Sequence, residues 1–321
     1  MHLSYYKKRR KYKYNLYIKF ILKEVSYSMK NKKGYLFLLP LGIIFILFTA
    51  VPIVSTVFYY GFTDYNILKS ASWIGLNNFV RLWKDPKTPT IIWNTIRFPL
   101  MLIPLHVVLA LFLALLAHGC RYRVIKYATR TAVYFPSIVT TASVAIAWGF
   151  LFNKDAGVIN WFLRQAGLIT EGIGWTTSSK YAMWAIVIFS GWKFVGQYFL
   201  YYLVGLDNIP ASYYEAARID GANSFQIFRK ITVPLLSPTI FFVLLVTMIG
   251  AMQAFDEPYF LTNGGPGNNT TTASLYIYQK AFNSYEMGYA SAIAACLFFV
   301  VFILTAIQMR LQSKWVIYDQ E

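Results

Sequence analysis

The chain has 321 residues, of which 57% are hydrophobic and 13% charged, with a formal net charge of +17 and a mean hydropathy of +0.46. This is more apolar surface than one soluble core hides, which excludes an ordinary soluble domain and places the chain in a bilayer. The positive charge does not describe a nucleic-acid-binding face either, because the basic residues collect at the ends of apolar segments, the pattern of membrane orientation.

Residues 1–34 read as a basic cytoplasmic tail, with Lys7, Lys8, Arg9, Arg10, Lys11 and Lys13 among its cations and Glu24 as its single acid. Tyr5, Tyr6, Tyr12, Tyr14 and Tyr17 interleave with the charges, so the tail is expected either to lie on anionic lipid as an amphipathic helix or to be a poorly ordered terminus. It is not a secretory signal, since the apolar run behind it is too long and lacks a small-residue cleavage site. Residues 35–314 then hold six apolar stretches, near 35–62, 97–118, 131–152, 182–206, 234–256 and 288–310. Each reaches or approaches the ~20 residues a transmembrane helix needs. The expected fold is all-α, a polytopic membrane protein with six transmembrane helices and tyrosine or tryptophan near several helix ends.

Lys and Arg set the orientation. Arg121, Arg123, Lys126 and Arg130 fill one loop without an acid, Arg218, Arg229 and Lys230 lie in another, and Arg310 and Lys314 close the chain, whereas the alternate loops are mixed in sign. Both termini are therefore expected in the cytoplasm, 315–321 being a short tail. Among the external loops, Trp73 to Phe79 with Trp83, and Trp161, Phe162 and Trp175, are expected to form short interfacial helices and caps. The run Gly264 to Thr272 reads as a turn followed by polar coil.

The cytoplasmic stretch 207–233 is too polar for its neighbours. Tyr213 to Asp220 has helix formers, Gly221 can end that helix at positive φ, and Asn223 or Ser224 can cap a second helix towards Lys230. Pro234 suits the first turn of the fifth span. Within this stretch Glu215-Ala216-Ala217, three residues, Gly221, nine residues, Ile231, one residue, Val233 and Pro234 is similar to the EAA loop of the membrane subunits of binding-protein-dependent ABC importers, which has Leu where Val233 stands. Gly205 to Pro210 before it and Thr262 to Gly267 after it resemble the maltose-type carbohydrate permeases, and the resemblance extends from about Tyr35 to Lys314.

The resemblance implies an alternating-access permease that pairs with a second, related permease, an ATPase dimer and an extracytoplasmic solute-binding protein, and that carries a sugar or oligosaccharide. It marks Glu215, Ala216, Ala217, Asp220 and Gly221 as ATPase-coupling residues, with Arg218 and Asp220 alternatively holding the loop to the permease itself. A carboxylate at Glu215 suits a charge-assisted bond to an Arg or Lys of the partner, and the small residues beside it allow close approach. It also places the Gly264 run beside the translocation path or the binding protein, and makes the glycosylation sequons at Asn268 and Asn269 false positives.

No Gly-x-x-x-x-Gly-Lys-Ser/Thr loop occurs in the chain, so ATP and magnesium are expected on the partner ATPase, with no cofactor on this chain and no enzymatic role of its own. His2, His106 and His118 are scattered and read as helix-surface or interfacial residues. Cys120 and Cys296 have no metal-ligand spacing. Lys193 stands out, because an ammonium in mid-membrane costs roughly 2.5–3.5 kcal/mol unless paired or hydrated. Gln197 shares its helical face, Trp192 and Tyr198 flank it, and Gln253 and Asp256, three apart in the fifth span, are expected to share another face. These six are the candidate substrate path, with a structural Lys193–Asp256 pair as the alternative. An ion-driven secondary transporter is the competing reading; it would carry intramembrane acids and repeated broken helices.

Overall fold

The computed structural model describes residues 33–67, 70–120 and 122–317; the expected tail at 1–34 lies almost wholly outside these, as does most of 315–321. The chain divides into two units, residues 1–55 and 56–321. In the first, the helix Lys33–Phe45 runs into a wide π-type turn at Ile46–Ala50, and the apolar span Phe37–Phe62, α1, begins there.

The regular structure of the second unit is helical; among the described residues β-type pairing amounts to one isolated bridge, Thr63 to Trp73. A short amphipathic helix α2 (Asn77–Lys84) precedes the long span α3 (Thr88–Gly119), which begins nine residues before the apolar stretch at 97. The stretch expected as one helix at 131–152 is two, α4 (Arg123–Ile138) and α5 (Thr141–Leu151), bent by 99°. The helix runs through Pro136, and the break lies beyond it, where Val139 and Thr140 leave the helical region with ψ of 144° and 140°.

Then follow α6 (Val158–Gln165) and α7 (Ala182–Asp207), 26 residues long. Next come α8 (Ala211–Ile219), α9 (Ser224–Leu235) and α10 (Ser237–Met252), the last two meeting at 63°. Pro234 falls in the arm before that bend, and Pro238 takes the first turn of α10 instead. Beyond the helix end at Met252 lie α11 (Asp256–Thr262), α12 (Ala273–Tyr278) and the last span α13 (Met287–Gln312).

Helices α1, α3 and α13 are each long and apolar enough to cross a bilayer, and the two bent pairs reach that length when each is taken together. Helix α7, about 39 Å at a 1.5 Å rise, is long enough but interrupted by Lys193 and Gln197. It is also the hub: most of its residues are buried, and it packs against α3, α4, α10 and α11. Two apolar clusters share it, one around Phe98, Phe152 and Phe189, the other around Ala114, Phe199, Tyr202 and Leu236.

Small residues make the crossings close. A Cβ on Gly196 would lie 2.1 Å from the Val133 carbonyl oxygen and 2.7 Å from Tyr134 Cα, so α4 rests on bare backbone there. Gly196→Ala is therefore expected to lower the melting temperature of the detergent-solubilised protein by several degrees, in line with about 1–3 kcal/mol for overpacking. Gly149→Ala, which meets no atom within 4 Å and replaces a helical glycine, should not lower it.

Candidate functional site

A bend of 99° exposes the last carbonyls of α4, which have no partner along the helix. In a bilayer those groups must be satisfied by the protein. Lys193, only 1% exposed, supplies the donors: its Nζ donates to the Val139 oxygen at 2.6 Å and to the Pro136 oxygen at 3.2 Å. The ammonium also suits the negative end of the α4 dipole and lies 5.1 Å from the centre of the Phe194 ring. Ser137 returns the contact, its hydroxyl donating to the Lys193 carbonyl at 2.8 Å.

This geometry corrects two expectations. Lys193 and Asp256 form no ion pair; among the described residues the pairs are Arg81–Glu286, His118–Asp207, Arg130–Asp207 and Lys280–Glu286. Neither Asp256 nor its neighbour Glu257, which sequence reasoning passed over, bonds to Lys193, whose ammonium is engaged by the Pro136 and Val139 carbonyls. Nor do Gln253 and Asp256 share a helical face, because the helix ends at Met252, Phe255 turns to φ −125°, and α11 starts at Asp256. The loosened Ala254 carbonyl is taken by the Thr272 hydroxyl at 2.6 Å.

The remaining path candidates separate. Gln197 follows Lys193 by one turn of α7 but donates to the Tyr201 hydroxyl at 2.8 Å. Tyr198 is buried against His106, ring centres 4.3 Å apart, so it faces the core rather than flanking an open surface. His106 is correspondingly buried, not a helix-surface residue, for it sits where α3 turns onto α7. Trp192 is 44% exposed and packs on Trp148. It separates two open apolar clefts of about 470 and 480 Å³. Gln253 and Asp256 are exposed.

At the end of α7 the Glu215 loop forms the expected helix–turn–helix. Gly221 adopts φ +76° with nothing near its would-be Cβ, so glycine is needed there for backbone conformation alone. Its N–H reaches the Arg218 oxygen at 3.1 Å while that of Ala222 reaches the Ala217 oxygen at 2.9 Å, the paired closure of a Schellman motif. Asn223, rather than Ser224, is the cap, in a capping box with Gln226 at 2.9 Å in both directions. Helix α8 buries none of its residues; Glu215 and Ala216 are exposed, Ala217 half-buried, and Asp220 exposed at the cap. Ile219 and Phe225 stand 86% and 69% exposed. Just before the loop, Asp207 receives His118 at 3.1 Å and Arg130 at 3.4 Å, tying α3 and α4 to the end of α7. The only sequence signal for this knot was one acid facing an acid-free basic loop.

The other end of α3 is clamped by a second charged group. Asp85 accepts from the hydroxyls of Tyr276 and Tyr289, and Glu286 binds Arg81 at 2.7 Å and Lys280 at 3.1 Å. Burial by itself would raise the Asp85 carboxyl, but the Tyr276 hydroxyl, the Lys87 amide, the Tyr289 hydroxyl and the Lys280 charge outweigh it and hold it below the usual range. Glu286 is likewise held low, with burial opposing and Arg81 and Lys280 prevailing. The Gly264 run packs against this end, and it is not polar coil. Thr270, Thr271 and Thr272 are at most 2% exposed, and Asn94 and Arg97 donate to the carbonyls of Asn268, Thr271 and Asn269. Trp175 is similarly no surface anchor, since its indole donates to Asn160 and its ring packs on Phe152. Trp161 and Phe162, on α6, are the exposed aromatics of that loop.

The family described as "binding-protein-dependent transport system inner membrane component" matches residues 106–318. The chain is 39% identical over 303 residues to the probable ABC transporter permease protein YesP of Bacillus subtilis, covering 93% of this chain and 96% of that protein. It is 34% identical to the lactose transport system permease protein LacF of Rhizobium radiobacter, covering 86% and 92%. Its fold is that of a bacterial ABC transporter involved in the import of the acidic polysaccharide alginate, with a TM-score of 0.76 at 23% identity over 91% of this chain and 99% of that one.

Two outcomes follow from the geometry. Lys193→Met removes both donors from the break, at about 1–3 kcal/mol for each carbonyl left unpaired, so the yield of folded, detergent-stable protein should fall. Asp256→Asn should not restore it; rescue would mean that an ion pair governs Lys193 after all. The Asp85 and Glu286 carboxyls, both depressed by folding, contribute stability that is whole above their ordinary values near pH 4 and declines as pH falls through the lower folded values. Melting curves between about pH 5 and pH 3 should show that decline, and the double variant Asp85→Asn/Glu286→Gln should flatten it.

Proposed function

This chain belongs to the family of inner membrane components of binding-protein-dependent transport systems, and from that premise we propose that it is the permease subunit of an ABC importer for a sugar or oligosaccharide. The observation that carries the cargo class is similarity along nearly the whole chain to permeases named for lactose and for arabinooligosaccharides. A solved transporter of the same fold is in complex with an alginate pentasaccharide-bound periplasmic protein, which supports an extracytoplasmic solute-binding protein as the donor of cargo. The ion-driven alternative is not favoured, since its expected hallmark was intramembrane acids and the buried charge of α7 is a lysine.

Six spans result when α7 is counted with α1, α3 and α13 and each bent pair is taken as one crossing. The Lys and Arg bias then puts both termini and the Glu215 loop in the cytoplasm. There the exposed Glu215, Ala216, Asp220 and Gly221 and the half-buried Ala217, with Ile219 and Phe225 beside them, form the surface that an ATPase dimer grips. ATP and magnesium act on those partners, and closure of the dimer moves α8 as a lever. A second, related permease faces the exposed Trp192, Gln253 and Asp256, and the cargo passes between the two subunits. Gln197 and Tyr198 lie behind that surface, and Lys193 holds the bent α4–α5 pair that forms its wall, releasing its donors to cargo only when the bend opens.

Glu215→Ala removes the carboxylate, and Gly221→Pro forces φ from +76° towards about −65°. Both proteins should insert normally yet lose co-purification with the ATPase or uncouple ATP hydrolysis from sugar uptake. Wild-type uptake by both variants would count against the loop as the coupling element.

A further inference from the structure

Between α3, α13 and α12 lies a groove of about 200 Å³ that no part of the transport reading uses. It runs from Leu82 and Thr88 down to Ile96 and Val300, roughly 12 Å along α3 at the helical rise per residue. Its wall is apolar not only by composition. The Thr88 hydroxyl is spent on the Leu82 carbonyl at 2.7 Å, the Thr95 hydroxyl on the Ile91 carbonyl at 2.7 Å, and the Tyr276 hydroxyl on Asp85. Nothing is left to bond a sugar, and the volume is below the ~300–1,000 Å³ of ordinary small-molecule pockets. The outer wall is formed by Ile92 and Ile96, 48% and 42% exposed, on a helix that itself crosses the bilayer.

The mouth has the opposite chemistry. Lys84 and Lys87 flank the lining residues Leu82 and Thr88 in sequence, are exposed, and have no ion-pair partner among the described residues. The two acids at this end are engaged, Asp85 by two tyrosines and Glu286 by Arg81 and Lys280. Trp83, 84% exposed beside Lys84, suits the headgroup level. An apolar slot about a dozen ångströms long, with two exposed lysines within two residues of its lining residues Leu82 and Thr88, is complementary to a lipid.

We propose that this groove binds one acyl chain of an anionic glycerophospholipid in the leaflet on the α2 side, with the lipid phosphate held by Lys84 and Lys87. The proposal rests on the chain spanning the membrane and is independent of the cargo. The test uses the assembled transporter, reconstituted in phosphatidylcholine nanodiscs doped with phosphatidylglycerol bearing a diazirine on its acyl chain, and maps photo-crosslinks by mass spectrometry. Crosslinks are expected on peptides covering Ile92–Arg97 and Ile293–Val300, and unlabelled phosphatidylglycerol should compete them away. The exposed double variant Lys84→Gln/Lys87→Gln should fold normally and weaken phosphatidylglycerol crosslinking by roughly tenfold, without changing that of a diazirine phosphatidylcholine. Cys296→Trp should fill the groove and remove the crosslinks. Equal labelling by both lipids in wild type and variants would overturn the proposal. So would crosslinking of Cys296, labelled with a maleimide-benzophenone in the Cys120→Ser background and irradiated, to the second permease, which would put a protein helix in the groove.

Discussion

Three helix interruptions among the described residues are each answered by a side-chain donor, and the packing depends on that requirement. The bilayer has no water to bond a freed carbonyl, so a break survives only where the protein supplies a partner. Lys193 serves the α4–α5 break. The Ser237 hydroxyl takes the Pro234 oxygen at 2.6 Å at the α9–α10 bend and itself accepts the Ile317 amide at 2.9 Å. Thr272 closes the end of α10. Because Lys193 must reach α4 from α7, these helices have to touch, and Gly196 is what lets them. The central place of α7 is therefore the consequence of one charge and one missing side chain as much as of apolar burial.

The two ends of the bundle are built on different principles. Around Asp85, charges and phenols alternate across α2, α12 and α13, and the neighbouring loop buries three successive threonines whose hydroxyls bond backbone. Such an end resists deformation. The Glu215 loop takes its order from within, from a Schellman closure and a capping box, and α8 buries nothing. Its link to the second arm is Tyr214 on Thr232 at 3.3 Å, and its root is the Asp207 knot. A helix ordered locally and attached at its root is suited to transmit movement as a rigid piece while leaving its surface free for a partner.

The helix–turn–helix was legible because its determinants are local. Gly221 and Asn223 act through the backbone within four residues of themselves, so spacing alone predicts what they do. The break at Val139 and Thr140 is hidden inside a continuous apolar run whose length suits a single crossing. A single helix through α4 and α5 would leave no free carbonyls, and a carboxylate at Asp256 would then be the natural partner of Lys193. The same holds at Gln253 and Asp256, where a three-residue spacing implies a shared face only if the helix continues.

By itself the sequence determined that the chain lives in a membrane, where its apolar segments lie, which loops are basic, and the form of the Glu215 loop, since hydropathy, charge and capping are properties of neighbours along the chain. Only the tertiary structure decided which polar groups meet. Asp85 with Tyr276, Asn94 with the 268–271 carbonyls, Asp207 with His118 and Arg130, and Lys193 with α4 are separated by between 54 and 191 residues. At such separations the choice of partner rests on how helices cross, and crossing depends on bends and on close contacts such as that at Gly196, which no single stretch of sequence displays.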